Sequence, residues 1–198
     1  MSGSGADLAG LHCDVGPKSV RISRGAEADS MHVNPLTENE IRNSFVNASK
    51  REVSQASLPD LESLDWDRLE YLGWRDSKRP LGYAVVVIDD VATGVILRAA
   101  PPATALGGRR RSAICAWCED PIETQDVSLY VAKRGGAAGR KGDTVGTLIC
   151  TEFICSKNVR RKPTFTELGS DDPTAREQFI ARRIEGLRSR SAKFVAAI

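Results

Sequence analysis

The sequence has few of the residues on which catalysis most often depends. Only two of its 198 residues are histidines, and both lie close to the N-terminus. The spacing of the remaining residues indicates neither a Ser-His-Asp set nor a pair of catalytic carboxylates. No apolar run approaches the roughly 20 residues that a transmembrane helix needs. These shortages exclude a membrane-spanning helix and argue against an enzyme with a small-molecule substrate.

A secretory signal is also missing. The N-terminal sequence MSGSGADLAGLHCDVGPKSV lacks a charged region followed by an apolar one. We therefore expect a cytoplasmic protein whose thiols stay reduced. The cysteines at positions 13, 115, 118, 150 and 155 are odd in number, which argues further against a closed set of disulfides.

Charge is distributed unevenly along the chain. From Arg109 to the C-terminus, 17 Lys and Arg residues stand against 11 Asp and Glu, a net charge of +6. The first 108 residues carry 11 and 15, a net charge of −4. A basic half favours an acidic partner, either nucleic acid or an acidic protein surface, although a merely solvated basic surface remains an alternative.

The first half of the chain divides into a tail and a small folded unit. Residues 1–35 are rich in Gly, Ser, Ala and Asp, and we expect a flexible tail. Thr37 and Glu40 have capping-box spacing and begin a predicted helix that reaches Lys50. Tyr83–Ile88 and 94–97 predict a β-hairpin. Trp66, Tyr71 and Trp74 lie in a predicted short helix or turn, where core burial is favoured. The unit spans residues 36–106 and ends in a predicted linker, PPATALGG.

The second unit, residues 107–198, holds two predicted strands, Val127–Ala132 and Thr144–Ile149, and a helix that begins near Cys155. A long helix is predicted from Pro173, with Asp172 as its cap and one apolar stripe that some surface must cover. We therefore predict an α+β protein: a small N-terminal helical and β-hairpin unit, then a cysteine-rich unit, then a long C-terminal helix.

Four cysteines are spaced like a metal site. Cys115 and Cys118 are separated by two residues, and Cys150 and Cys155, after 31 more, by four. Structural zinc commonly takes four thiolates in a tetrahedron, so we favour one closed, structural Zn²⁺. A redox CxxC is the alternative, but it leaves the second pair unexplained. Knuckle, hairpin and then a ligand-bearing helix is the order of a treble-clef zinc finger.

The stretches SAICAWC, VSLYVAKRGGAAGRKGDTVGTLIC and FICS resemble the C-terminal treble-clef domain of the elongation factor G-binding proteins, the FusB-type fusidic-acid-resistance family. The resemblance covers residues 108–198. It implies that Cys115, Cys118, Cys150 and Cys155 are zinc ligands. It also implies a protein-binding module that docks on elongation factor G and promotes its release from ribosomes stalled by the drug.

The loop KRGGAAGRKGD lies between the two strands of this unit. It does not match a phosphate-binding GxxxxGK[ST] loop, because Arg140 precedes Lys141. We predict a flexible hairpin tip for acidic protein or RNA phosphate, with a merely soluble loop as the alternative. The predicted partner-binding residues are Lys133, Arg134, Arg140, Lys141, Arg160 and Arg161.

Three functions therefore stay open at this point. The first is a non-enzymatic zinc protein that binds elongation factor G near the ribosome. The second is a module for ribosomal or other RNA, which would use the same basic side chains together with those of the last helix. The third, more distant, is a thiol oxidoreductase.

Overall fold

The computed structural model describes residues 34–101, 112–122, 124 and 126–198. The predicted tail up to residue 33, with His12 and Cys13, lies outside these residues, as does most of the predicted linker. The helices are α1 (Glu38–Ser44), α2 (Lys50–Ser54), α3 (Gly136–Arg140), α4 (Cys155–Val159), α5 (Phe165–Leu168) and α6 (Pro173–Ala196), with a 3-10 turn at Trp66–Arg68. The strands are β1 (Leu72–Arg75), β2 (Leu81–Ile88), β3 (Val91–Ala99), β4 (Val127–Lys133) and β5 (Thr144–Cys150).

The five strands form one antiparallel sheet in chain order. The predicted hairpin becomes β2 and β3, joined at Asp89 and Asp90, which both have positive φ as a tight hairpin turn requires. β3 pairs with β4 only through Arg98 with Val131 and Ala99 with Tyr130. This short pairing carries the sheet across the point at which the sequence suggests a linker. The predicted α+β class is confirmed.

The two faces of the sheet pack against different parts of the chain. One face packs against the cysteine-bearing segments and α6, and we call it the metal-side face. Its buried residues are Ala84, Val86, Val95, Leu97, Tyr130, Ala132 and Ile149. The outer face of β1 to β3 packs against α1 and the segment after α2; its residues are Leu72, Trp74, Tyr83, Val85, Ala92 and Ile96. Alternate side chains of β2 and β3 thus enter separate cores.

The first helix is shorter than predicted. Its capping box at Thr37 and Glu40 is present, but the helix ends at Ser44 rather than Lys50. Phe45 turns extended and bridges Gly94 of β3, and the N–H of Val46 donates to the Gly94 carbonyl. Pairing with the sheet therefore replaces further helical hydrogen bonds, and a second capping box begins α2 instead.

The segment before β2 differs from the prediction in part. The expected short helix is the 3-10 turn, but β1, which follows it, was not predicted. Tyr71 and Trp74 are buried, and Trp74 stacks on Tyr83 with ring centroids 4.9 Å apart. Core burial, which the sequence favours for the three aromatic residues, is found for Tyr71 and Trp74, whereas Trp66 is partly buried against the outer core.

The C-terminal helix forms as predicted, capped by Asp172 with Pro173 in its first turn. Its apolar stripe is covered by the chain itself, since Leu187 and Val195 belong to the core on the metal-side face. The basic loop after β4 forms the short helix α3, and its Gly135 N–H donates to the Ile198 carbonyl at 2.7 Å. The end of α6 is thus joined to the hairpin. None of the described helices is both long and apolar enough to cross a bilayer.

Phe153 links the first two strands to the cysteine-rich segments. Its ring lies directly against the Cα positions of Gly73 and Gly82, and a Cβ on Gly82 would come within 2.5 Å of it. The ring also packs on Tyr130, with centroids 5.1 Å apart. Because neither glycine presents a side chain, the ring can contact the sheet backbone.

We predict that Gly82→Ala lowers the free energy of unfolding by about 1–3 kcal/mol, because the added methyl group overpacks the site of Phe153. Chemical denaturation checks this value. Gly146→Ala is the matched control: it also lies in a strand, but its Cβ would meet no atom closer than 3.4 Å. Equal stability of the two variants would contradict the proposed packing constraint.

Candidate metal centre

The first cysteine pair is held by a tight turn. The backbone N–H groups of Trp117 and Cys118 both point at the Cys115 sulfur, with N to Sγ distances of 3.4 Å. The N–H of Glu119 donates to the Cys115 carbonyl at 2.9 Å, and Glu119 has a φ of +51°. The turn therefore directs donors at one sulfur and brings the second sulfur to the same side.

The second pair lies where a strand passes into a helix, as the sequence predicts. Cys150 is the last residue of β5, and Cys155 is the first residue of α4. Between them the N–H of Phe153 donates to the Cys150 carbonyl at 2.9 Å, and Phe153 has a φ of +58°. This left-handed residue reverses the chain, so that both sulfurs can face one point.

The four sulfurs gather in one cluster, and all lie within 4.8 Å of one another. Sγ of Cys115 is 3.6 Å from that of Cys155, and Sγ of Cys118 is 3.6 Å from that of Cys150. A tetrahedron with metal–sulfur bonds of about 2.3 Å has sulfur–sulfur edges of about 3.8 Å. The donor set therefore fits one tetrahedral metal ion.

Electrostatics set a condition on this cluster, because all four sulfurs can be thiolates only beside a cation. The pKa of Cys115 is lowered because its sulfur accepts hydrogen bonds from the Cys118, Cys150 and Cys155 thiols. The pKa values of Cys150 and Cys155 are raised, chiefly by the hydrogen bonds they share with Cys115. All four residues are only 0–2% exposed. Four thiolates cannot share so small a buried volume unless a metal ion balances their charge.

The strands of the N-terminal half brace the second ligand pair. The Tyr71 hydroxyl donates to the Phe153 carbonyl at 3.2 Å, and the Glu70 N–H donates to the Ser156 hydroxyl at 3.1 Å. Arg160 pairs with the buried Glu70 carboxylate at 2.7 Å. These contacts fix the turn and the start of α4, and hence the positions of Cys150 and Cys155.

Helix α6 holds the first pair from the other side. The buried Asp120, two residues after Cys118, forms ion pairs of 2.6 Å with Arg183 of α6 and with Arg161, which follows α4. Arg190 of the same helix donates to the Trp117 carbonyl at 2.8 Å. Asp120 has no local signal in the sequence, because its partners are 41 and 63 residues away. Trp117, the tryptophan of CAWC, is buried against Tyr71, and no pattern in the sequence indicates this contact.

A comparison with known protein families identifies this arrangement. The model of the FBP C-terminal treble-clef zinc-finger family matches residues 40–198. The chain belongs to this family. Its four cysteines are arranged to bind a metal ion in the order of a treble clef: turn, hairpin, then helix.

Comparison with solved structures finds the fusidic acid resistance protein FusC, with 21% sequence identity and a TM-score of 0.48. The match covers 76% of this chain and 59% of FusC, so the chain spans less than two thirds of that protein. No curated protein matches the chain significantly.

The family match begins far upstream of residue 108, where the resemblance drawn from sequence starts. The contacts of Tyr71 and Glu70 with the segment between the last two cysteines give a physical reason, because β1 and the residue before it support the treble clef. The FBP unit of this chain therefore includes the first three strands as well as the cysteine-bearing segments.

The structure separates the predicted partner-binding residues into two groups. Three cations of the hairpin are exposed: Lys133, Arg140 and Lys141. The other three are engaged within the chain. Arg134 donates to the Ala197 carbonyl, Arg160 pairs with Glu70, and Arg161 pairs with Asp120 and Glu167. As contacts with a partner, all six remain predictions.

We predict that Cys118→Ser reduces bound metal well below one equivalent per chain, because a serine hydroxyl replaces a thiolate in a four-thiolate site. Elemental analysis of purified protein measures the metal, and the near-UV spectrum reports the packing of Trp117. Cys13→Ser is the matched control and should keep the full metal content. If the Cys118 variant also kept it with an unchanged spectrum, Cys118 would not be a ligand.

The ion pair of Glu167 with Arg161 predicts a pH dependence of stability. Arg161 and the cap at Thr164 lower the pKa of Glu167 from 4.5 to about 2. The folded state therefore favours the carboxylate, and the contribution is complete above pH 4.5 and disappears as the pH falls towards 2. The melting temperature of wild type should exceed that of Glu167→Gln near neutrality, and the difference should shrink between pH 4.5 and 3. A difference that is constant with pH would contradict this.

Proposed function

We propose that this chain is a non-enzymatic zinc protein of the cytoplasm that binds elongation factor G and modulates its association with, or release from, the ribosome. The observation that carries the proposal is a closed four-cysteine centre in an FBP-family treble clef. The resemblance of the cysteine-bearing stretches to the elongation factor G-binding proteins supplies the partner. Zinc is the proposed ion, because four thiolates in a buried tetrahedron are a donor set typical of structural Zn²⁺.

A closed centre supports binding rather than catalysis. The four protein sulfurs fill a tetrahedral coordination sphere, so a bound ion would have no position for water or substrate. The ion would instead join the knuckle turn, the end of β5 and the start of α4 into one rigid unit. Such a unit acts mechanically: its binding energy favours one conformation of the partner or competes with the partner's ribosome contacts.

The structure makes RNA a weaker candidate than protein. Several arginines that the sequence suggested for phosphate contacts are directed inward, including Arg160, Arg161 and Arg183. Each is already paired with a carboxylate and would have to exchange that partner for a phosphate. The exposed hairpin cations stay available for an acidic partner of either kind.

The decisive test is direct binding of the purified, zinc-loaded chain to purified elongation factor G by isothermal titration calorimetry, repeated over a range of salt concentrations. We expect saturable binding with one site and a shallow dependence on salt. Phosphate-dominated RNA binding would instead weaken steeply, with a logarithmic slope of about −0.7 to −0.9 for each phosphate contact.

Two controls separate the alternatives. Protein unfolded by a strong chelator should lose binding and regain it when Zn²⁺ is restored. Thiol titration should find the four treble-clef cysteines unreactive until the chelator is added. No measurable binding to elongation factor G at low salt would overturn the proposal, and cycling of these thiols between reduced and disulfide forms with a substrate would favour the oxidoreductase.

A further inference from the structure

Part of the outer face of the sheet carries apolar side chains that no described residue covers fully. Leu129 of β4 and Leu148 of β5 are direct cross-strand partners, and they are 44% and 38% exposed. Val131 and Gly146 form the next pair on the same face. We call these four residues the open β4–β5 face. Tyr130 and Ile149, which alternate with them, are fully buried on the metal-side face.

The N-terminal elements cover this same sheet face only as far as β3. Asn47 marks the boundary: its side chain accepts from the Ile96 N–H and donates to the carbonyls of Ile96 and Lys133. At the edge strand β5, the knuckle segment adjoins the sheet, where the Ala116 N–H donates to the Leu148 carbonyl at 2.8 Å. That segment adds Ile114, which is 56% exposed. The open β4–β5 face therefore continues the outer core, and within residues 34–101, 112–122, 124 and 126–198 no segment covers it as α1 covers β1 to β3.

The charge around this face has one predominant sign. The hairpin from Val127 to Cys150 has three exposed cations, Lys133, Arg140 and Lys141, and one acidic residue, Asp143; its fourth cation, Arg134, donates to the Ala197 carbonyl. Arg98 is exposed on the neighbouring strand and pairs with Val131 in the sheet, so it lies on the same side. Glu52 is the acidic residue beside it: its pKa is lowered chiefly by its hydrogen bonds with Ser49, and also by the charges of Lys133 and Arg98.

We propose that the open β4–β5 face is the surface on which the chain docks its protein partner, and that the partner presents an apolar patch flanked by acidic side chains. This inference rests on the proposed binding of elongation factor G and specifies where that binding occurs. The aliphatic pair supplies the desolvated centre, and the cations of the hairpin supply the polar rim.

The chemistry of the centre selects protein over nucleic acid. Surfaces that bind single-stranded RNA offer aromatic rings on which bases stack. The side chains of this face are aliphatic: Leu129 and Leu148 are exposed, and Val131 is half-buried. An aliphatic centre gains free energy by removing apolar surface from water, which a phosphate backbone cannot provide.

The test uses substitutions that add charge of the sign already present. Leu129→Lys and Leu148→Lys, made singly in the full zinc-loaded chain, should each weaken binding to purified elongation factor G by at least about tenfold, as for a contact at the centre of an interface. Attraction governed by charge alone, as for RNA, would become stronger. If lysine disturbs the fold, Leu129→Thr replaces it in the test. Threonine also favours a strand, and it should weaken binding because it removes most of the aliphatic side chain.

Matched controls define the outcomes. Phe165→Lys replaces another apolar residue, 66% exposed on α5, and should change binding by less than about twofold. Zinc content and melting temperature must match wild type in every variant that is compared. If wild type binds and both leucine variants bind equally well, this docking surface is overturned while the proposed function stands. If wild type does not bind, both are overturned.

A charge-reversal pair tests the rim separately. Lys141→Glu should weaken binding and reduce its dependence on salt, whereas Lys193→Glu, also exposed but on α6, should have little effect. Equal effects of these two variants would contradict an acidic partner surface at the hairpin. Light scattering of wild type completes the test, because self-association that is lost in Leu148→Lys would assign the face to a second copy of the chain instead.

Discussion

Four sulfurs within 4.8 Å of one another, in a region almost closed to solvent, constrain the rest of this protein. As thiolates they repel one another strongly, and burial removes the water that would screen them, so a cation must compensate the charge. The backbone around them is correspondingly specialised. Donors of the knuckle point at Cys115, and Asn158 donates to the Cys150 sulfur at 3.4 Å. Metal binding and folding of the treble clef are therefore expected to be one event.

The strands before the knuckle take part in this arrangement. Phe153, in the turn between the last two ligands, packs its ring on the glycines of β1 and β2, and Tyr71 binds its carbonyl. Glu70, just before β1, joins the same support through Arg160. These contacts give a physical reason why the family match includes β1 and β2 as well as the cysteine-bearing segments. The sheet orients the ligands, and the ligand turn in turn fastens the sheet.

The basic character of the C-terminal half has two different uses. Arg161, Arg183 and Arg190 hold the knuckle through Asp120, Glu119 and a main-chain carbonyl, so much of the positive charge is neutralised internally. The cations of the hairpin remain at the surface beside an aliphatic face. Total charge alone does not distinguish these roles, whereas the pairing pattern does. That pattern supports the proposed protein partner, held by apolar contact with a charged rim.

Local sequence determined much of this protein: the capping box at Thr37, the start of α6 at Asp172, the β2–β3 hairpin and the spacing of the four cysteines all depend on residues close together in the chain. Only tertiary structure decided the rest. The helix begun at Thr37 ends early because Phe45 pairs with Gly94, nearly 50 residues away. Asp120 contacts its arginines, and Phe153 its glycines, through long-range contacts that no local pattern encodes. Such long-range pairings form only when burial and charge compensation across the whole fold repay the entropy of closing the chain.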